Sequence, residues 1–301
     1  VRAPLLRQGG LFQPLSREGG LVLNNVLLTT AAASVLVGTL YPLLLESLTG
    51  AKISVGPPFF NMVFVPLMLP LLLAMPFGPM LAWKRGDLHA ASQRLFAAAA
   101  LALAVAIAAM ALTQRGPWLA PFGLGLGVWL IAGSLSELAF RAKIVGSPLA
   151  ESWHRLVNLP RSAFGTTLAH LGLGLSVVGI VSTSAWQSER IIAMKPGEAT
   201  EIAGYQLTFV GVAPVRGANY RSEIGAFEVR RHGLLVTRLE PEKRFYEAER
   251  QATTEAGILG SLGGDLYTVL GDQQTGGGYT VRIYFNPLVR LIWIGAVVMF
   301  L

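Results

Sequence analysis

An imidazole inside hydrocarbon is the side chain of this sequence best placed to do chemistry. His170 falls two turns into the apolar, glycine-rich run from Phe164 to Ala185, FGTTLAHLGLGLSVVGIVSTSA. A strongly polar group at that depth is costly unless something inside the protein binds it, so an intramembrane histidine marks a functional site by default. Gly165, Gly172, Gly174 and Gly179 share its segment, and small residues let a helix or a flat macrocycle approach the backbone closely. Gly174 is one turn beyond His170 on the same face. At 1.5 Å per residue the histidine stands roughly 9 Å past the helix start, in the cytoplasmic third of the bilayer. Four roles fit it: haem ligation, a proton relay, a metal site, or an interhelical hydrogen bond with the glycines serving packing alone. One histidine cannot complete a bis-histidine haem site, so if haem is bound its second ligand must come from sequence outside this chain.

The other polar residues near membrane ends are less distinctive. His89 and His154 lie in polar cytoplasmic stretches and His232 in a turn, where a solvated ring is expected. Glu46 and Glu137 stand near opposite ends of their spans, explained by snorkelling or by a helix-end partner. Arg290, at the outer start of the last apolar run, suits a lipid phosphate or a propionate-like carboxylate. No nucleophile has an adjacent base. Gly276 to Gly278 lack the strand-to-helix context and the lysine of a phosphate-binding loop, so they read as a turn. With no cysteine in the chain, disulfides and thiolate metal sites are excluded.

The elements that must position His170 follow from composition. Of 301 residues, 52% are hydrophobic and 14% charged, with mean hydropathy +0.53. Apolar runs near 21–46, 59–82, 95–113, 117–140, 164–185 and from 287 onward reach, or begin to reach, the length that spans a bilayer. Pro66, Pro70 and Pro76 are expected to kink the second run, and Gly56-Pro57-Pro58 to force an extended or turned external edge before it. Arg2, Arg7, Arg17, Lys84, Arg85, Arg94, Arg141, Lys143, Arg155 and Arg161 gather on one set of loops, against Lys52 and Arg115 on the other. Basic loops stay in the cytoplasm. The N-terminus is therefore expected inside and the block after the fifth run outside. A chain that starts at Val1 and stops within an apolar run at Leu301 is expected to be part of a longer polypeptide.

The block from Trp186 to Asn286 is the water-soluble part, with 11 Lys and Arg against 12 Asp and Glu. The remainder holds 13 against 5, so the high pI is a signal of topology and not of nucleic-acid binding, which needs a basic soluble face. YQLTFVGV (205–212), AFEVRR (226–231), LLVTRL (234–239) and YTVRIYF (279–285) read as strands separated by Gly and Pro punctuation. An antiparallel sandwich or barrel tethered at both ends by membrane helices is predicted. Tyr220, Arg221, Lys243, Arg244 and Tyr246 stand out on it as candidates for docking partners, although a solvated face explains them equally.

Long stretches, in order along nearly the whole chain, resemble the CcmF family of cytochrome c-type biogenesis proteins. They are REGGLVLNNVLL (17–28), GTLYPLLLE (38–46), KISVGPPFFN with FVPLMLPLLL (52–73), LPRSAFGTTLAHLG (159–172), GANYRSE (217–223), PEKRFY (241–246), TTEAGI (253–258), DLYTVLGD (265–272) and VRIYFNPLVRLIWIGAVVM (281–299). The resemblance implies a polytopic α-helical protein of the bacterial inner membrane: 1–185 helical, an inserted all-β periplasmic domain at 186–286, and the start of a final membrane helix at 287–301. It implies attachment of haem, as transferred substrate, to apocytochrome c through two thioether bonds. The haem chaperone CcmE would deliver haem, CcmH- and CcmI-type partners would help present the apocytochrome, and quinol is a plausible electron donor. In the family a membrane haem b is held between two transmembrane histidines. The motif around the second matches LAHLG, so His170 inherits the role of axial iron ligand. The tryptophan-rich WWD segment of the family has no counterpart here, so the chain resembles the C-terminal half and by itself should not be competent for haem attachment. A permease or assembly subunit of an exporter with an external β domain, in which His170 only packs helices, is the alternative.

Overall fold

The structure is a computed structural model and describes residues 13–113, 116–248 and 250–301. Arg2, Arg7 and Arg115, which entered the charge argument, lie outside the described residues. Five helices are long and apolar enough to cross a membrane, and the chain is a multi-pass membrane protein with an inserted antiparallel β-sandwich. The helices are α1 (Arg17–Thr49), α2 (Pro57–Ala74), α3 (Leu88–Leu112), α4 (Ala120–Ala142), α5 (Leu149–Val157), α6 (Arg161–Trp186) and α7 (Arg290–Phe300). Two compact units are formed. One holds α1, α2, nearly all of α3 and α4, α5, α6 as far as Leu175, and α7 from Gly295; the other holds the sandwich with α6 from Ser176 and α7 up to Ile294.

Local chemistry explains both ends of α1 and the start of α2. The Ser16 hydroxyl accepts a hydrogen bond from Gly19 N at 3.1 Å and caps α1, and Gly50, at φ 71°, closes its far end in the left-handed region. Pro57 and Pro58 are the first residues of α2 and do not form an extended edge. The reason is that the first turn of a helix has no use for the amide hydrogen that proline lacks. Pro66 and Pro70 remain within α2, whereas Met75–Met80 tighten into a 3₁₀ turn containing Pro76 and Pro79.

In the helical unit the closest approaches are made by small residues. A Cβ on Gly125 would meet Ala102 O and Ala106, one on Gly133 would meet Pro76, and one on Gly38 would meet Phe59 and Phe60. The Trp129 indole N–H donates to Leu73 O at 3.1 Å, and its ring lies 5.6 Å from that of Phe77. α4 thereby packs on both α3 and the end of α2. Without a hydrophobic driving force between helices in lipid, such close contacts and hydrogen bonds supply the association.

Short α5 joins two membrane-crossing helices and displays an unpartnered apolar stripe. Leu149, Trp153 and Val157, spaced by four, are 81%, 66% and 61% exposed. A stripe of this kind beside Lys143, Arg155 and Arg161 suits the headgroup boundary of the bilayer. Because the chain has no cysteine, Trp153→Cys and Val157→Cys each accept one spin label. These labels are expected to be reached by oxygen and shielded from an aqueous nickel chelate, with Glu151→Cys showing the reverse. Equal nickel access at all three positions would count against burial in the interface.

The sandwich is built from β1 (Ser188–Met194), β2 (Ala199–Ile202), β3 (Tyr205–Arg216), β4 (Tyr220–Arg231), β5 (Leu234–Leu239), β6 (Glu242–Tyr246), β7 (Gln251–Glu255), β8 (Gly257–Ser261), β9 (Gly264–Gln273) and β10 (Tyr279–Pro287). One sheet runs β1-β10-β9-β8; the other runs β2-β3-β4-β6-β7, with β5 also paired to β4. Alternation puts Leu207 and Phe209 of β3, Phe227 and Val229 of β4, Leu266 and Leu270 of β9, and Val281 and Ile283 of β10 in a core where each is fully buried. Phe209 and Phe227 are cross-strand partners whose rings stack at 4.9 Å. His232 and Gly233, both at positive φ, make the tight turn from β4 to β5.

Charged pairs cover the outside. Glu228 accepts from Arg230 and Arg238, Glu242 from Arg244, and Asp272 pairs with Lys243. These hydrogen bonds hold the three carboxyls below their ordinary range. A depressed folded-state value means that the unfolded chain binds more protons as pH falls. The contribution is therefore complete above the unfolded carboxylate value of about 4 and is lost as pH falls through the lowered values. Thermal unfolding of the sandwich is expected at a steady temperature from pH 7 to about 5 and at lower temperatures below that, followed by the β-sheet circular dichroism signal. Glu228→Gln combined with Glu242→Gln should flatten the acid limb.

Candidate functional site

His170 lies in the helical unit, half-buried, and has no hydrogen-bond partner among the described residues. The helix that carries it is held on two sides by glycine. A Cβ on Gly174 would come within 2.7 Å of Ile131 Cγ1 and 2.9 Å of Gly127 O on α4. One on Gly172 would come within 2.5 Å of Gly295 O and 2.7 Å of Met299 Cγ at the end of α7. Gly174 thus provides close approach to a neighbouring helix, and the space above it is filled by α4. Gly165 faces open space, with nothing within 4 Å of where its Cβ would stand.

Glu137 of α4 is a site residue whose environment the sequence does not disclose. It is 2% exposed, so it does not snorkel to water; its helix-end partner is Arg141, which reaches Oε1 with Nε at 2.9 Å and Nη2 at 2.7 Å. Oε2 is buried with no hydrogen-bond partner. Glu137 is also the charged group whose field acts on the His170 ring. Burial arises from the neighbours that surround α4, which local sequence does not specify. Glu46, by contrast, is exposed and pairs with Lys52 at 3.5 Å.

The remaining histidines are exposed, and none contributes to a cluster. His89 contacts Gln93 at 2.9 Å and His154 contacts Asn158 at 3.3 Å, while His232 occupies its turn. Among the described residues no group of three or more His, Asp or Glu side chains could hold a bare metal ion. A prosthetic group bound through one axial imidazole is compatible with that arrangement, because a macrocycle supplies the other iron ligands itself.

Arg290 lies in the sandwich unit. Its Nε donates to Asp265 Oδ1 at 3.0 Å, and the same oxygen accepts from Ser261 N at 3.2 Å. The guanidinium occupies the place where a side chain at Gly260 would begin, so glycine there makes the pairing sterically feasible. Arg290 therefore joins the start of α7 to the β8–β9 hairpin, with its side chain still 46% exposed.

The β-domain candidates come together by strand pairing but divide between two faces. Tyr220 pairs with Tyr246 and Ser222 with Arg244, placing Tyr220, Arg244 and Tyr246 on one face; Arg221, opposite Phe245, and Lys243 point to the other. The tyrosine rings are 5.5 Å apart, and the Arg244 guanidinium lies 4.8 Å from the Tyr220 ring while bonding Glu242. An open groove of about 450 Å³ beside Arg221 is lined by Pro214, Arg216, Ser222 and Glu247.

Comparison with known proteins agrees with this architecture. The family described as CcmF C-terminal beta-sandwich matches residues 185–287. The chain is 54% identical to the cytochrome c-type biogenesis protein CycK of Rhizobium meliloti and 50% identical to that of Bradyrhizobium diazoefficiens; each alignment covers 99% of this chain, and 44% and 45% of the relatives. The solved structure of a cytochrome c heme lyase CcmF superposes with a TM-score of 0.72 at 26% identity, covering 95% of this chain and 45% of that one. The chain spans somewhat under half the length of these relatives. Sequence match along its full length, the sandwich and the shared fold together make this chain similar to just under half of the CcmF- and CycK-type cytochrome c biogenesis proteins.

Proposed function

We propose that this chain forms one half of a cytochrome c haem lyase of the bacterial inner membrane, with its N-terminal side in the cytoplasm and its sandwich in the periplasm, and that His170 is an axial ligand of a membrane haem b. The observation that carries the ligand role is an intramembrane imidazole with no hydrogen-bond partner among the described residues, on a helix fixed by glycine contacts on two sides. A neutral packing histidine would be expected to bond a neighbouring helix, since an unsatisfied polar group in lipid costs several kcal/mol.

The haem would supply one-electron chemistry that keeps incoming substrate haem reduced. The chain's own contribution is to hold the imidazole in place and exclude water around it. The second axial ligand and the tryptophan-rich segment would come from the other half of the family's length. The sandwich would dock the haem chaperone, CcmH- and CcmI-type partners or the apocytochrome, with the Tyr220, Arg244 and Tyr246 face as the first candidate. Holding haem vinyl groups beside reduced thiols in register would supply much of the acceleration for thioether formation.

The test is a reduced-minus-oxidised spectrum with haem extraction on the full-length protein purified from the membrane. A b-type signal near one haem per protein is expected. Protein free of haem would overturn the reading and favour the exporter permease, in which His170 only packs helices.

A further inference from the structure

Glu137 has no part in that reading, yet it is the ionisable side chain buried most deeply among the described residues of the helical unit, at 2% exposure. Intramembrane carboxylates are rare, face the bundle interior and mark functional sites. This one is half used: Arg141 occupies Oε1, and Oε2 is buried and free.

Helix register places it beside His170. Gly174 of α6 rests on Gly127 and Ile131 of α4, and the two helices cross the membrane in opposite directions. One turn back along α6 is therefore one turn forward along α4, which sets His170 level with residues 131–135. Glu137 follows two to six residues later, about 3–9 Å further along the axis, within two turns of that level. Two groups without a full set of partners, an imidazole and a carboxylate oxygen, thus lie within about two helical turns of each other in depth.

We infer that Glu137 is the positioning residue of His170, its free Oε2 accepting the hydrogen bond of the ring nitrogen opposite the ligating one, and its charge favouring the oxidised iron. Histidines that ligate metals almost always donate their second N–H to a carboxylate, carbonyl or water, which fixes the ring and raises its basicity. Arg141 holds the carboxylate by one oxygen and leaves the other available. The inference rests on the reading of His170 as a haem ligand.

Spectroelectrochemical titration and low-temperature electron paramagnetic resonance of the full-length protein test it, with Glu137→Gln and Arg141→Gln as variants. Removing the negative charge is expected to retain the haem, raise its midpoint potential and alter the ferric g-values. Removing the arginine leaves the carboxylate uncompensated and is expected to shift the potential the opposite way. A purely structural role would move both variants alike. Equal shifts, no shift, or loss of haem from both would overturn the role of Glu137 while leaving that of His170 intact. Absence of haem from the wild type would overturn both.

Discussion

Full-length protein carrying His170→Gly is expected to lose its b-type band, and millimolar imidazole in the buffer is expected to restore part of it. Two observations set the size of this effect. Among the described residues the other histidine of a membrane-spanning helix, His89, is exposed in the first turn of α3 and contacts Gln93 at 2.9 Å, so it is not expected to take over the iron. The flanking contacts of Gly172 and Gly174 are made with α7 and α4 and do not involve the side chain at 170, so trimming that side chain leaves the helix in place and opens a cavity in which free imidazole can bind. Rescue separates ligation from packing. A packing histidine predicts that the glycine variant either keeps its spectrum or fails to assemble, and that imidazole changes neither outcome.

A second large effect is expected in the sandwich. Phe209→Ala removes one of two stacked rings from a site with no solvent exposure, where large-to-small aromatic substitutions cost about 3–5 kcal/mol through lost transfer energy and the residual cavity. That is a large share of the roughly 5–15 kcal/mol that stabilises a domain. Protected amides of β3, β4, β9 and β10 should exchange on the order of a thousandfold faster, since each 1.4 kcal/mol is a factor of ten. Val210→Ala, one residue away and outward, should leave exchange nearly unchanged because Val210 is 54% exposed. Similar acceleration in both variants would mean that the core is not centred on the phenylalanine pair.

The strands around these rings were the legible part of the domain. In YQLTFV and YTVRIYF the apolar residues alternate, and period two has one meaning in a half-buried strand. Strands β6, β7 and β8 were not legible. EKRFY and QATTE are mostly polar, and GILGS holds two glycines in five residues, so their pairing is decided by the edges that β4, β6 and β9 offer them. Helix α5 was hidden for a related reason. Nine residues are too few for a periodic signal to emerge from a basic loop, and its stripe becomes visible only when Leu149, Trp153 and Val157 line up in space.

The membrane crossings, the charge asymmetry and the isolated imidazole follow from sequence alone, because the bilayer imposes a length and a polarity that act on each segment separately. The setting of the site does not. That Gly174 serves α4, that Arg290 binds Asp265, and that Glu137 is sealed from water with one free oxygen all depend on which helix or hairpin stands opposite. Burial and pairing are properties of two surfaces brought together, so only the tertiary structure could decide them.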